Sequence, residues 1–142
     1  MSQLPEKEKA ASGYVTELKS KEEQEPIASF LNVRLLEISP GYAKVAMKMA
    51  PHYQNFNGFI FGGIIMAVAD QAFAYASNSL AHPSLASQFN IHFIAGAGVN
   101  DELIAEGRVV TSGRRAGVSE MTVTNQDGKL IAKATGTTIP VG

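Results

Sequence analysis

The chain contains no cysteine, which removes disulfides, thiol catalysis and thiolate metal sites together. Histidine is scarce: His52, His82 and His92 show no ligand spacing, and there is no H-E-x-x-H. A metal site is therefore not expected, and no cofactor is. Net charge is nearly absent as well. Twelve basic side chains face 13 acidic ones, for a formal −1, so nothing pulls the chain globally toward nucleic acid or an anionic membrane. The motifs G-x-x-x-x-G-K-[ST], G-x-G-x-x-G and G-x-S-x-G are missing, which speaks against nucleotide folds and a serine hydrolase. The opening M-S-Q-L-P-E-K-E-K lacks the apolar core of a secretory signal, so the expected location is the cytoplasm.

What is present suits one globular domain. The 142 residues are 45% hydrophobic and 18% charged, enough for a real core and too few for two ordinary domains. Residues 1–25, rich in Glu and Lys from position 5, read as a charged N-terminal arm, either a solvated helix or a frayed tail. Pro26 opens a short helix that ends near Asn32. V-R-L-L-E-I-S then leads to the Pro40-Gly41 turn. Ala43, Val45, Met47 and Met49 alternate with Tyr42, Lys44, Ala46 and Lys48, the pattern of a half-buried strand. A long helix follows, expected to end near His82-Pro83. Later strands are expected over 88–93, from Glu102, from Val118 and from Lys129, separated by turns at 96–100, 113–117 and 125–128. Hairpin-length connections imply an antiparallel sheet that covers the apolar helix, so the class is α+β with five to six strands.

The central segment is the most informative. N55-F-N-G-F-I-F-G-G-I-I-M-A-V-A-D70 continues into Q-A-F-A-Y-A-S-N-S, and between Phe59 and Ala76 Asp70 is the sole charge. Although long and apolar, the run is not read as a membrane span. Asp at a span's centre costs roughly 3 kcal/mol, and Gln71, Ser77 and Asn78 add to that. A helix this apolar is expected inside a fold, with Asp70 buried along it. Such an acid is costly unless it is paired, hydrogen-bonded or in use. Gly62 and Gly63 stand where the helix begins and leave backbone N–H groups free beside it. A fixed donor and a placed carboxylate are two parts of an acyl-transfer site.

An antiparallel sheet wrapped around a central apolar helix is the hotdog fold. N55-x-x-G58-x-x-F61-G62-G63 with A-V-A-D70 resembles the phenylacetate-pathway branch of the hotdog acyl-CoA thioesterases, whose motif runs N-x-x-G-x-x-H-G-G and then L-A-D. The likeness spans about residues 28–140, with 26–142 as the expected hotdog domain. The resemblance implies roles. Asp70 is the nucleophile or the base that activates water. Gly62 gives the N–H that polarises the thioester carbonyl, with Gly63 beside it in the substrate site. Asn55 holds the water or the carbonyl. Ser87 is the nearest match to a Ser or Thr on the strand after the helix. Phe61 replaces the usual His and removes a hydrogen-bond donor. The implied partner is an acyl-CoA, with no nucleic acid or membrane, in a homodimer or a dimer of dimers, a homotetramer.

Geometry adds an independent constraint. On one helix, Gly62 and Asp70 are about 12 Å apart along the axis, too far for one chain to use both on a single carbonyl. Two antiparallel copies would bring them together, along a face expected to carry Gly63, Met66, Ala67, Ala74 and Ser77. The plain readings stand beside these. Asp70 is a structural acid, the glycines permit close packing, Asn55 and Asn57 shape a turn, and Phe61, Phe73 and Tyr75 fill the core or an acyl pocket. Arg114 and Arg115 sit on a hairpin tip as solvated residues or as contacts for the coenzyme A phosphates, with Arg108 and Lys133 as weaker candidates. The rivals to a thioesterase are a non-catalytic acyl-CoA-binding hotdog protein, which Phe61 suggests, and a hotdog hydratase, which lacks its His.

Overall fold

The computed structural model describes residues 3–141. Helix α1 (Gln3–Glu22) and the short α2 (Pro26–Leu31) precede strands β1 (Arg34–Ser39) and β2 (Tyr42–Lys48). A 3-10 turn at Pro51–Tyr53 leads to the long helix α3 (Gly62–Asn78). Strands β3 (Ser84–Phe93), β4 (Glu102–Ser112), β5 (Gly117–Thr124) and β6 (Leu130–Pro140) complete the chain. All six strands form one sheet in the order β1-β2-β4-β5-β6-β3, and every pairing is antiparallel. The sheet curls over α3, and this is the hotdog fold that the pattern of elements predicts.

The strands form where apolar side chains alternate. Ala43, Val45 and Met47 of β2 point inward with Leu103 and Ala105 of β4, Met121 and Val123 of β5, and Ile131 of β6. From the helix, Ile65, Val68, Ala69, Ala72, Phe73 and Ala76 meet them. Two glycines let helix and sheet come close. A Cβ on Gly107 would lie 2.7 Å from the Ala72 carbonyl oxygen, and one on Gly136 would lie 2.6 Å from the Phe73 ring. Phe73 therefore belongs to the core, where its ring packs 5.7 Å from that of Phe89.

Two boundaries differ from expectation. Helix α3 stops at Asn78, short of His82-Pro83. Asn78 ends it by returning its amide to the Ala74 carbonyl (2.9 Å) while its Oδ1 accepts the Ser84 N–H (2.9 Å). That second bond starts β3 at Ser84, four residues before the expected start. The arm is helical, and it turns Ala11 and Leu18 toward the body of the protein, where both are buried. No helix among the described residues is long and apolar enough to cross a membrane.

Candidate active site

The segment before α3 is a tight loop built around Asn55. Its backbone N–H donates to the Phe59 carbonyl (2.7 Å), and its Oδ1 accepts the N–H groups of Asn57 (2.9 Å) and Phe59 (3.1 Å). Gly58, at φ 81°, takes the left-handed turn position that a side chain would strain. Gln54 closes the loop by donating to the Gly58 carbonyl (2.7 Å). The turn role of Asn55 and a donor role are compatible. Its oxygen is used by the loop, and its Nδ2 amide remains as a donor.

Helix α3 starts with no side-chain cap. The Phe61 N–H is taken by the Tyr53 carbonyl (2.9 Å), and Ile64 donates back to the Phe61 carbonyl (2.9 Å). The N–H groups of Gly62 and Gly63 lie in the first helical turn, where no intrahelical acceptor exists. They sit at the positive end of the helix dipole. Two rings flank them. A Cβ on Gly63 would meet the Phe61 ring at 2.5 Å, and one on Gly62 would meet the Phe93 ring at 3.2 Å. Phe61 thus lies over the helix start and is 56% exposed, which places it at the rim rather than in the core. Phe93 was not singled out in the sequence, since its alternation marks only a strand.

Asp70 departs from expectation. It is exposed in the single chain, not buried. The cause is helical periodicity: the buried face turns to the sheet, and Gly63, Met66 and Asp70 face outward with the partly covered Ala67 and Ala74. Ser77 is not on that face. It is buried, and its hydroxyl donates to the Phe73 carbonyl (2.7 Å). Though open on one side, the Asp70 carboxyl is flanked by enough protein that lost hydration pushes its pKa above the usual aspartate range. Desolvation is the cause of that shift, and among the described residues no charged or hydrogen-bonding partner contributes.

Strand β3 lies beside this face. Gly62 approaches Phe93 and Asn78 bonds Ser84, so β3 runs antiparallel to α3. Ser87 is about 10 Å along β3 from Ser84, at a level near Asp70 on the helix. It sits at a bulge between Ala86 and Gln88, and its hydroxyl donates to the Thr137 carbonyl at 3.3 Å. β3 is an edge strand whose outer side is unpaired, with Leu85 and Phe93 exposed on it.

The arginines are placed elsewhere. Arg114 and Arg115 are exposed on the β4–β5 tip, and Arg114 shares a surface hollow with residues 80–83, beyond the far end of α3 from Gly62. Arg108 lies over the Tyr42 ring at 4.5 Å on the sheet, and Lys133 is exposed on β6. Within one chain none of them meets the helix start. Among the described residues no cluster of three or more metal-ligating side chains forms.

One cluster went unnoticed in the sequence. Glu25, just ahead of α2, accepts at Oε1 from Gln71 Nε2 (2.7 Å) and from the Tyr75 hydroxyl (2.9 Å). Burial and the Glu25 carboxylate push the Tyr75 phenol well above its ordinary pKa. The partners are some 50 positions apart, a separation that carries no sequence signal.

The thioesterase superfamily profile matches residues 57–132, which include the glycine pair, α3 and β3. A protein of Archaeoglobus fulgidus is 40% identical over 107 residues, covering 75% of this chain and 70% of its own. The acyl-coenzyme A thioesterase PaaI of Escherichia coli is 30% identical over 84% of this chain and 86% of its own. The E. coli PaaI structure superposes with a TM-score of 0.88 at 27% identity, covering 94% of this chain and 96% of that one. A Streptococcus mutans protein bound to acetyl CoA matches with a TM-score of 0.76 at 31% identity, over 80% of this chain and 91% of that one. The chain belongs to the thioesterase superfamily, a class of thioester hydrolases, and within it to the PaaI-like hotdog branch.

Proposed function

We propose that this chain is an acyl-CoA thioesterase whose site forms between two copies of it. The observation that carries the reading is the outward stripe of α3. One carboxylate stands on a helix face of small residues, without a partner to hold it, while free N–H groups lie about 12 Å away at the helix start. An antiparallel second copy of α3, centred near Met66, sets Gly62 of each chain opposite Asp70 of the other. The unpaired edge of β3 supports the same two-fold pairing, since its open N–H and C=O groups invite a second strand. E. coli PaaI is named an acyl-coenzyme A thioesterase, and the S. mutans structure holds acetyl CoA. Both support a coenzyme A thioester as the substrate here.

In this reading the thioester carbonyl docks on the Gly62 N–H, where the helix dipole favours developing negative charge. Asp70 of the facing copy takes a proton from water, and the water oxygen bonds to the carbonyl carbon. The carbon–sulfur bond then breaks, and coenzyme A leaves as a thiolate that picks up a proton. Direct attack by Asp70 gives the same products through an anhydride that water opens. Asn55 orients the water or carbonyl through its free amide. Phe61 presses an apolar ring on the substrate side of Gly63, which suits an aryl-acetyl or medium-chain acyl group. The test is free-thiol release from a panel of acyl-CoA thioesters by the wild type and by Asp70→Asn. Turnover by the wild type and its loss in the variant support the reading. A wild type that binds these thioesters without hydrolysing them is the acyl-CoA-binding alternative.

A further inference from the structure

A groove of about 430 Å³ lies between the end of α1 and the second half of α3, lined by Leu18 and Lys21 on one side and by Ala74, Tyr75 and Asn78 on the other. We infer that this groove is the acyl-chain subsite, so that α1 and the turn after it set which thioesters are accepted, an inference that rests on the proposed thioesterase reading.

Three observations carry it. The first is position. Ala74 is one helical turn beyond Asp70 on the same outward stripe, and Asn78 is one turn further, so the groove begins about 6 Å from the carboxylate and runs away from it. A carbonyl held beside Asp70 has its acyl tail at the mouth. The second is size and lining. The volume falls in the range of small-ligand pockets, and the floor of Ala74 and the Tyr75 ring, with Leu18 behind it, is apolar where a tail would rest. The third is rigidity. The Glu25 carboxylate, itself on the groove, takes hydrogen bonds from both Gln71 and Tyr75, which pins the turn between α1 and α2 against α3. The wall is therefore built, not draped.

The two-fold register gives the groove a roof. With the helices centred on Met66, Ala74 of one copy lies about one turn past the Gly62 start of the facing helix, toward the loop before that helix, which carries Phe56 and Phe59. Both rings are largely exposed in the single chain, at 96% and 66%. The occupant is thus the apolar acyl group, a medium-length chain or an aryl ring, between the Tyr75 floor and this roof. The wall is built from α1 and the turn after it, so it acts on selectivity without touching Gly62 or Asp70.

Gln24→Trp and Lys21→Trp test this at two points of the α1 wall, since both positions are exposed and tolerate bulk without disturbing the core. The readout is kcat/KM for octanoyl-CoA divided by that for acetyl-CoA. The wild-type ratio is expected above one and should fall at least tenfold in each variant, through a loss on octanoyl-CoA larger than any loss on acetyl-CoA. A ratio that stays within twofold of wild type in both variants overturns the subsite, and so does a wild type that uses octanoyl-CoA no better than acetyl-CoA. Loss of the dimer with an unchanged ratio also overturns it, because the groove would then seat the facing loop. If the wild type hydrolyses neither thioester, the thioesterase reading fails separately. Octanoyl-CoA binding by calorimetry then decides the groove: it stands if octanoyl-CoA binds at least tenfold tighter than free coenzyme A and Gln24→Trp removes the advantage, and falls otherwise.

Discussion

The two faces of α3 share one backbone and follow different rules. The inner face is large and closely fitted. Phe73, Val68 and Ile65 fill the space under the sheet, and Gly107 and Gly136 are bare so that helix and strands can touch. The outer face is small and underfilled, with Gly63, Ala67 and Ala74 around one acid. A surface made only for solvent would carry many charges, and a surface made only for the core would carry none. The outer face fits neither, which agrees with the proposed helix-to-helix contact that sets Asp70 beside the facing helix start.

The sharpest way to break the contrast is to change one residue on each face. Asp70→Asn should lower kcat on the best thioester by a factor on the order of a hundred to ten thousand, the range expected for a lost general base. Its circular dichroism and oligomeric state should match the wild type. Gly107→Ala should do the opposite. It forces a methyl group against the Ala72 carbonyl and should lower stability by about 1–3 kcal/mol, read by urea unfolding, with kcat per folded molecule little changed. If the two effects trade places, the division of the helix into a structural and a reactive face is wrong.

The inner face was legible in the sequence because burial repeats. Alternation in β2 and the apolar run of α3 mark the core directly, and the antiparallel sheet follows from turn spacing. The outer face was legible in part. The glycine pair and Asp70 stand out as residue types, but an apolar run does not say which way each side chain turns, so Asp70 was expected buried and Ser77 was expected on the Asp70 face. Ser77 can be buried because its hydroxyl is satisfied by the Phe73 carbonyl, a local solution that composition hides. The Glu25 cluster and the nearness of Phe93 to Gly62 arise from chain crossings, which no local pattern records.

Protonation separates the faces more finely. Desolvation raises the pKa of Asp70, so its acid form is favoured in the folded protein relative to the unfolded one. The group therefore favours folding below the unfolded aspartate value, near pH 3.9, and that contribution is lost as pH rises through the folded value. In the proposed mechanism activity needs the carboxylate, so kcat/KM should fall on acidification with a midpoint above the ordinary aspartate range. In the same window Asp70→Asn should have a higher Tm than wild type at neutral pH, a gain that vanishes in acid. A Tm difference independent of pH would contradict the assigned cause. The smallest effect expected is at the rim. Phe61→His places a donor beside Gly63 and should keep or raise turnover of aryl-acetyl thioesters by a few-fold, with unfolding little affected because the ring is 56% exposed. No change in the rate or affinity of any substrate would mean that Phe61 does not face the site.

The central claim is that Asp70 and the Asn55–Gly62 segment serve one site from two different chains. Chains carrying Asp70→Asn and chains carrying Asn55→Ala, each nearly inactive alone, are co-expressed so that mixed dimers form. Random pairing makes half the dimers mixed, and in each of these one site is intact and the other carries both lesions. Activity should recover to about one quarter of wild type. A chain bearing both substitutions, paired with wild type, should give mixed dimers with no intact site. If mixed dimers are present by mass and the activity stays at the sum of the two inactive parents, Asp70 and Asn55 act within the same chain and the shared site does not exist.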